Sequence, residues 1–150
     1  MGSISKAIIA AFVATVILSV IMVMKSMMGV MPQMNAIAML TQMAHQMAGM
    51  PSSPAIGWVL HFVIGSAIWG VLFALFYEKL PGTSALPKAV SFGVLAWLLM
   101  MVVVMPMAGK GLFGLGIGIM ATMATLMLHL VWGLVLGAAY GLMVGRPAVK

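Results

Sequence analysis

Four long uncharged runs, each closed by charge or proline, set the pattern of the chain. The first runs from about Ala7 to Met24 and stops at Lys25. The second covers about Ala55 to Tyr77 and is stopped by Glu78-Lys79. The third begins after Pro87-Lys88 and reaches about Met105, where Pro106 and Gly109 break it. The fourth lies inside the stretch Gly111–Gly145 and ends before Arg146-Pro147. Each is long enough to cross a hydrocarbon layer of about 30 Å as a helix.

A shorter segment separates the first two runs. Asn35 suits an N-cap, Gly49 suits a C-cap, and Pro32 and Pro51 bracket the pair. The helix between them, at about residues 36–48, spans roughly 20 Å at about 1.5 Å per residue, too short to cross. It also carries Thr41, Gln42, His45 and Gln46. An interfacial or re-entrant helix on the outer face is therefore expected. The fold expected is all-α: an integral membrane four-helix bundle of two tandem helical hairpins, with this extra outer helix after the first span. The whole chain, 1–150, forms one membrane domain, with hairpin one at 1–80 and hairpin two at 88–146.

Composition agrees with the pattern. Apolar residues make up 65% and charged residues 5%, too little polar surface to solvate a globule. The net charge of +6 forms no basic patch, so nucleic acid is not an expected partner; the scattered cations report topology instead. Placing the N-terminus inside puts Lys6, Lys79, Lys88, Arg146 and Lys150 in the cytoplasm and only Lys25 and Lys110 outside. The positive-inside rule favours that orientation, with both termini cytoplasmic. Lys6 before an apolar run resembles a signal sequence, but no small-residue cleavage site into a polar region follows, so an uncleaved first span is expected. Met1-Gly2 lacks the Ser or Thr at position six that myristoylation prefers, since Lys6 stands there.

What is missing narrows the chemistry. Without cysteine there are no disulfides, thiolate zinc sites, iron–sulfur clusters or covalently attached haem. Glu78 is the sole acid, which removes carboxylate clusters for hard metals and the acidic relays of proton pumps.

The second and fourth runs share a local pattern. Leu60-His61-Phe62-Val63-Ile64-Gly65 aligns with Leu128-His129-Leu130-Val131-Trp132-Gly133, and the same offset sets Glu78 on Arg146. The first and third both open on Lys-Ala, at Lys6-Ala7 and Lys88-Ala89. A duplicated hairpin with both copies pointing one way accounts for this. It places His61 and His129 at one depth, each roughly 24 Å from the cytoplasmic end of its span at about 1.5 Å per residue.

Histidine within a span is costly, so each calls for a partner or a function. Two neutral imidazoles at one depth suit a b-type haem, with His61 and His129 as axial ligands, or copper. Gly65 and Gly133 beside them would leave clearance for a macrocycle. The competing explanation is close helix packing: Gly57, His61, Gly65 and Trp69 on one span, and His129, Gly133, Gly137 and Gly141 on the other, follow the four-residue spacing of tightly packed membrane helices. Packing is the more economical of the two.

Methionine is the second signal. Of 19, all but Met1 and Met143 fall in the outer half or the outer loops of this topology. Thioethers favour Cu(I), and His45 stands between Met43 and Met47, so these three are candidate metal ligands. Methionine is equally an adaptable filler of irregular apolar surfaces, and Met120, Met123 and Met127 point away from His129 on a helical wheel. Trp58 is expected in an outer aromatic belt. Glu78 and Arg146 are placed to pair. Gly65-Ser66-Ala67 lacks the nucleophile-elbow pattern, so no catalytic residues and no enzyme activity are expected.

The stretches Gly57 through Gly65, Ala96-Trp97-Leu98-Leu99-Met100-Met101 and His129 through Gly141 resemble a family of small bacterial four-helix membrane proteins, a domain of unknown function. That resemblance implies the fold and a bacterial inner (plasma) membrane location, and no activity. The function expected is a non-enzymatic accessory or scaffold subunit of a membrane complex. A haem- or copper-binding protein is the alternative, and an oligomeric small-solute transporter or channel the third. Partners would be the lipid bilayer and a homo-oligomer or larger membrane complex.

Overall fold

A computed structural model describes residues 3–145. Four helices in it are long and apolar enough to cross a membrane: α1 (Ser3–Met27), α3 (Pro54–Lys79), α4 (Ala85–Met107) and α5 (Ile119–Val144). The short helix α2 (Ala36–Ala48) lies between the first two. No strand occurs among the described residues.

The boundaries follow local chemistry. Asn35 caps α2, its side chain accepting from the Ala38 amide at 3.0 Å, and Gly49 ends the helix at a left-handed φ of 63°. Lys25 then fastens the incoming loop, donating from Nζ to the carbonyls of Met31 (3.1 Å) and Met34 (2.7 Å). The third span departs from expectation at both ends. It starts at Ala85 rather than after Pro87-Lys88, because the first turn of a helix has free amides and tolerates proline. It also continues through Pro106 to Met107. A widened turn at Met100–Val104, where the Met105 amide reaches back to Met100 oxygen, lies just upstream of that proline. Such a turn relieves the ladder where proline offers no donor. A second widened turn occupies Val63–Ile68 of α3, with the Trp69 amide reaching Ile64 oxygen.

Packing places α1 and α5 at the centre, with α3 against α1 and α4 against α5. The face of α1 that meets its neighbours is made of small residues: Ala7, Ala10, Ala11, Ala14, Thr15 and Ser19. These recur at three- and four-residue steps and let backbones approach closely. The opposite face, with Phe12, Val13, Val16, Ile17 and Val20, is exposed, as suits contact with lipid tails. α3 and α4 meet mainly near the loop that joins them, through aromatic rings. Phe73, fully buried, lies 5.4 Å from Phe92 and 5.3 Å from Tyr140 between ring centres, and Trp69 meets Phe92 edge-on. Small residues close one side of the bundle and rings close the other.

Lys88 locks that same end. Its Nζ donates to Tyr77 oxygen at 2.9 Å, sits 4.4 Å from the Tyr77 ring centre and 3.7 Å from Glu78 Oε2. Glu78 therefore pairs with Lys88. The expected partner, Arg146, lies outside the described residues, as do Met1, Gly2 and Lys150.

Candidate functional site: a polar seam at His61 and His129

A line of polar side chains crosses the otherwise apolar bundle. Ser19 Oγ donates to Thr15 oxygen at 2.7 Å, the usual bond to the carbonyl four residues back. That bond uses the only proton of the hydroxyl. His61 Nε2, 3.1 Å from Ser19 Oγ, must then be the donor, which leaves Nδ1 unprotonated in the neutral ring. One turn earlier on α1, Thr15 Oγ1 accepts from Trp132 Nε1 of α5 at 3.2 Å. His61, Ser19, Thr15 and Trp132 thus tie α3, α1 and α5 together.

A second set lies between α4 and α5. Trp97 Nε1 donates to Thr125 Oγ1 at 3.3 Å. His129 Nδ1 donates to the carbonyl of Thr125 at 2.8 Å, so Nε2 is the unprotonated nitrogen of the neutral ring. The two histidines are not equivalent: His61 reaches another helix, while His129 folds back on its own.

The glycines beside them are occupied by neighbouring helices. A Cβ on Gly65 would lie 2.6 Å from Thr15 Oγ1. On Gly133 it would lie 2.7 Å from Ala89 oxygen, and on Gly137 2.8 Å from Leu86 Cα. Gly93 of α4 completes the contact, a Cβ there meeting His129 oxygen at 2.6 Å. Gly141 is different, since its Cβ would find Ala85 Cβ at an ordinary 3.5 Å. Gly57 meets no spanning helix; it faces Ile37 oxygen and the Thr41 side chain of α2. At the two glycines expected to give a macrocycle clearance, the Cβ direction thus points at Thr15 from Gly65 and at the Ala89–Val90 backbone from Gly133.

His61 also sits in a small aromatic group, edge-on to Trp58 at 5.8 Å and to Phe62 at 5.6 Å. His45 is remote in sequence and in role. Its Nδ1 lies 2.8 Å from Met50 oxygen, just beyond the end of α2. Met43 and Met47 share one face of α2, and His45, two residues from each, projects about 160° away. The helix alone does not aim the three at one point. Met47, Met120, Met123 and Met127 are all exposed on the surface.

Thr15, Ser19, Trp97, Thr125 and Trp132 also belong to the seam, and none of them is costly enough in a span to stand out by residue type alone. A signal existed for the first two: they extend the small-residue face of Ala7, Ala10, Ala11 and Ala14 by one and two turns. The indole donors carry no comparable signal.

No curated protein and no solved structure matches the chain. A family model does, over residues 1–150, and it covers both halves of the bundle together with the seam. The chain belongs to that family, the family of unknown function DUF6789.

Proposed function

We propose that this protein is a non-enzymatic accessory or scaffold subunit of a membrane complex. The observation that carries this reading is the internal satisfaction of the seam. Both histidines donate within the protein, the Thr15 side chain packs against Gly65, and the Ala89–Val90 backbone packs against Gly133. Intramembrane polarity of this kind supplies specific helix pairing at modest energy, about 0.6 to 2 kcal/mol per bond. The protein sits in a bacterial inner membrane with both termini cytoplasmic, the arrangement the cation distribution favours. The helices form two tandem hairpins. In support, Gly65 packs on α1 and Gly133 on α4, so each glycine after a histidine meets the preceding span. α2 lies in the outer interface, its Ile37 and Thr41 turned toward the start of α3.

A complex extracted in mild detergent should migrate well above the 15.8 kDa chain and change size when partner subunits are deleted. A monodisperse single chain carrying a stoichiometric cofactor would overturn the reading.

One observation favours a second reading. His129 donates from Nδ1 to a backbone carbonyl and so presents Nε2, the orientation commonly found in histidines that bind metal. A b-type haem or copper would take His129 first, with His61 required to release Ser19 or bind through Nδ1.

A further inference from the structure

No proline accounts for the widened turn at Val63–Ile68, as Pro106 does for the one in α4. Its cause is register. His61 meets Ser19, Gly65 meets Thr15 and Gly70 meets Ile8, so three residues of α3 face α1 in succession. The first two stand four residues apart and the last two five. At about 100° per residue, an unbroken α-helix would set Gly70 about 140° from Gly65 and about 180° from His61, away from α1. One extra residue taken up in the turn reduces those angles to about 40° and 80°. The His61 half and the Gly70 half of α3 are each in phase with α1 and out of phase with each other.

The turn carries a cost. Among the described residues, Ser66 Oγ is the buried side-chain atom left without a hydrogen-bond partner, and such a hydroxyl is destabilising. Ser19 and Ser91, in regular helix, each donate to the carbonyl four residues back. With the turn closed, Ser66 would do the same to Phe62 oxygen. The widened register therefore gains contacts on α1 and forfeits a hydrogen bond at Ser66.

We propose that α3 has two registers and that the Ser19–His61 bond is the latch between them. With the bond made, the turn is widened. With it broken, the turn closes, Ser66 finds its acceptor, and the His61 half rotates about 100° against the rest of α3. The Gly70 half stays in place, held on Ile8 and by Phe73 between Phe92 and Tyr140. The His61 half is freer to turn: Val59 is 62% exposed, and α2, packed on Gly57, moves with it. Any group that draws His61 from Ser19 throws the switch. The inference concerns motion within one chain and uses no part of the scaffold reading.

The chain lacks cysteine, so Val59→Cys and Val102→Cys, at exposed positions of α3 and α4 far from their shared loop, accept a pair of nitroxide labels. Double electron–electron resonance of the labelled protein in phosphatidylcholine nanodiscs should give one distance. Ser19→Ala and His61→Leu should each add a second, displaced by up to about 8 Å, the chord of that rotation at the radius of a helix with its side chains. Ser66→Ala added to Ser19→Ala should restore the first distance, because closure no longer gains a hydrogen bond. Deletion of Ala67 removes the extra residue and should keep the single distance even with Ser19→Ala. One unshifted distance in both Ser19→Ala and His61→Leu would overturn the proposal. So would a second distance that persists in the Ser66→Ala or Ala67-deletion background, which would assign the change to loosened packing.

Discussion

Trp132 and Thr15 are joined by a buried hydrogen bond of 3.2 Å from the indole Nε1 to Oγ1, across 117 positions of sequence. Ser19, one turn further along α1, meets His61 of α3. Helix α1 therefore carries two polar links to two different helices on a single face. Thr15→Val should leave Trp132 Nε1 unpaired and destabilise the fold by about 1–3 kcal/mol. Unfolding titrations in mixed micelles of dodecylmaltoside and sodium dodecyl sulfate would measure it.

The Ser19–His61 link is suited to a double-mutant cycle. Ser19→Ala, His61→Ala and the double variant should show a coupling of about 0.6 kcal/mol, and no more than about 2 kcal/mol. Additive effects in the same titration would mean that the 3.1 Å contact contributes nothing to folding.

Glycine substitutions should rank by the space that each position has. Gly133→Val drives a side chain into the Ala89 carbonyl and should cost about 1–3 kcal/mol or more. Gly141→Ala meets Ala85 at ordinary contact distance and should be near neutral. Equal effects at the two positions would contradict the packing of α5 on α4. The same logic predicts that Ser66→Ala is neutral or stabilising, by up to about 1–2 kcal/mol, since it removes an unpaired buried hydroxyl.

These contacts differ in how far the sequence foretold them. Helix α2 was fully legible, because Asn35 and Gly49 are local signals that act within one turn. The four spans were legible from length and charge. The start of α4 is not, because Pro87 suggests a boundary while the first turn of a helix accommodates it. Pro106 marks the widened turn at Met100–Val104, but no residue marks the one at Val63–Ile68 that holds Ser66. His61 and His129 stood out as costly, yet their partners did not. Ser19 is a small uncharged residue within a long uncharged run, and the Thr125 carbonyl is backbone.

Lys88 and Glu78 should respond unequally. Lys88 is buried and holds Tyr77 through both carbonyl and ring, while the Glu78 side chain is 88% exposed. Lys88→Ala should destabilise by about 1–3 kcal/mol, and Glu78→Gln should change stability little. Thermal unfolding of the detergent-solubilised variants would show the difference.

Orientation can be read with introduced thiols, since the chain has no cysteine of its own. Gln33→Cys should react with a membrane-impermeant maleimide in intact cells. Thr83→Cys, in the loop between α3 and α4, should react only after permeabilisation. The reverse pattern would place the termini outside.

The central proposal is that His61, bonded across to α1, and His129, bonded back onto its own helix, serve the packing of the bundle and do not hold a cofactor. An ultraviolet–visible spectrum of the purified protein, oxidised and dithionite-reduced, with elemental analysis of the same sample, tests it most directly. The account predicts no Soret band and no stoichiometric metal. A Soret band that shifts on reduction and disappears in both His61→Ala and His129→Ala would contradict it and make the two histidines axial ligands.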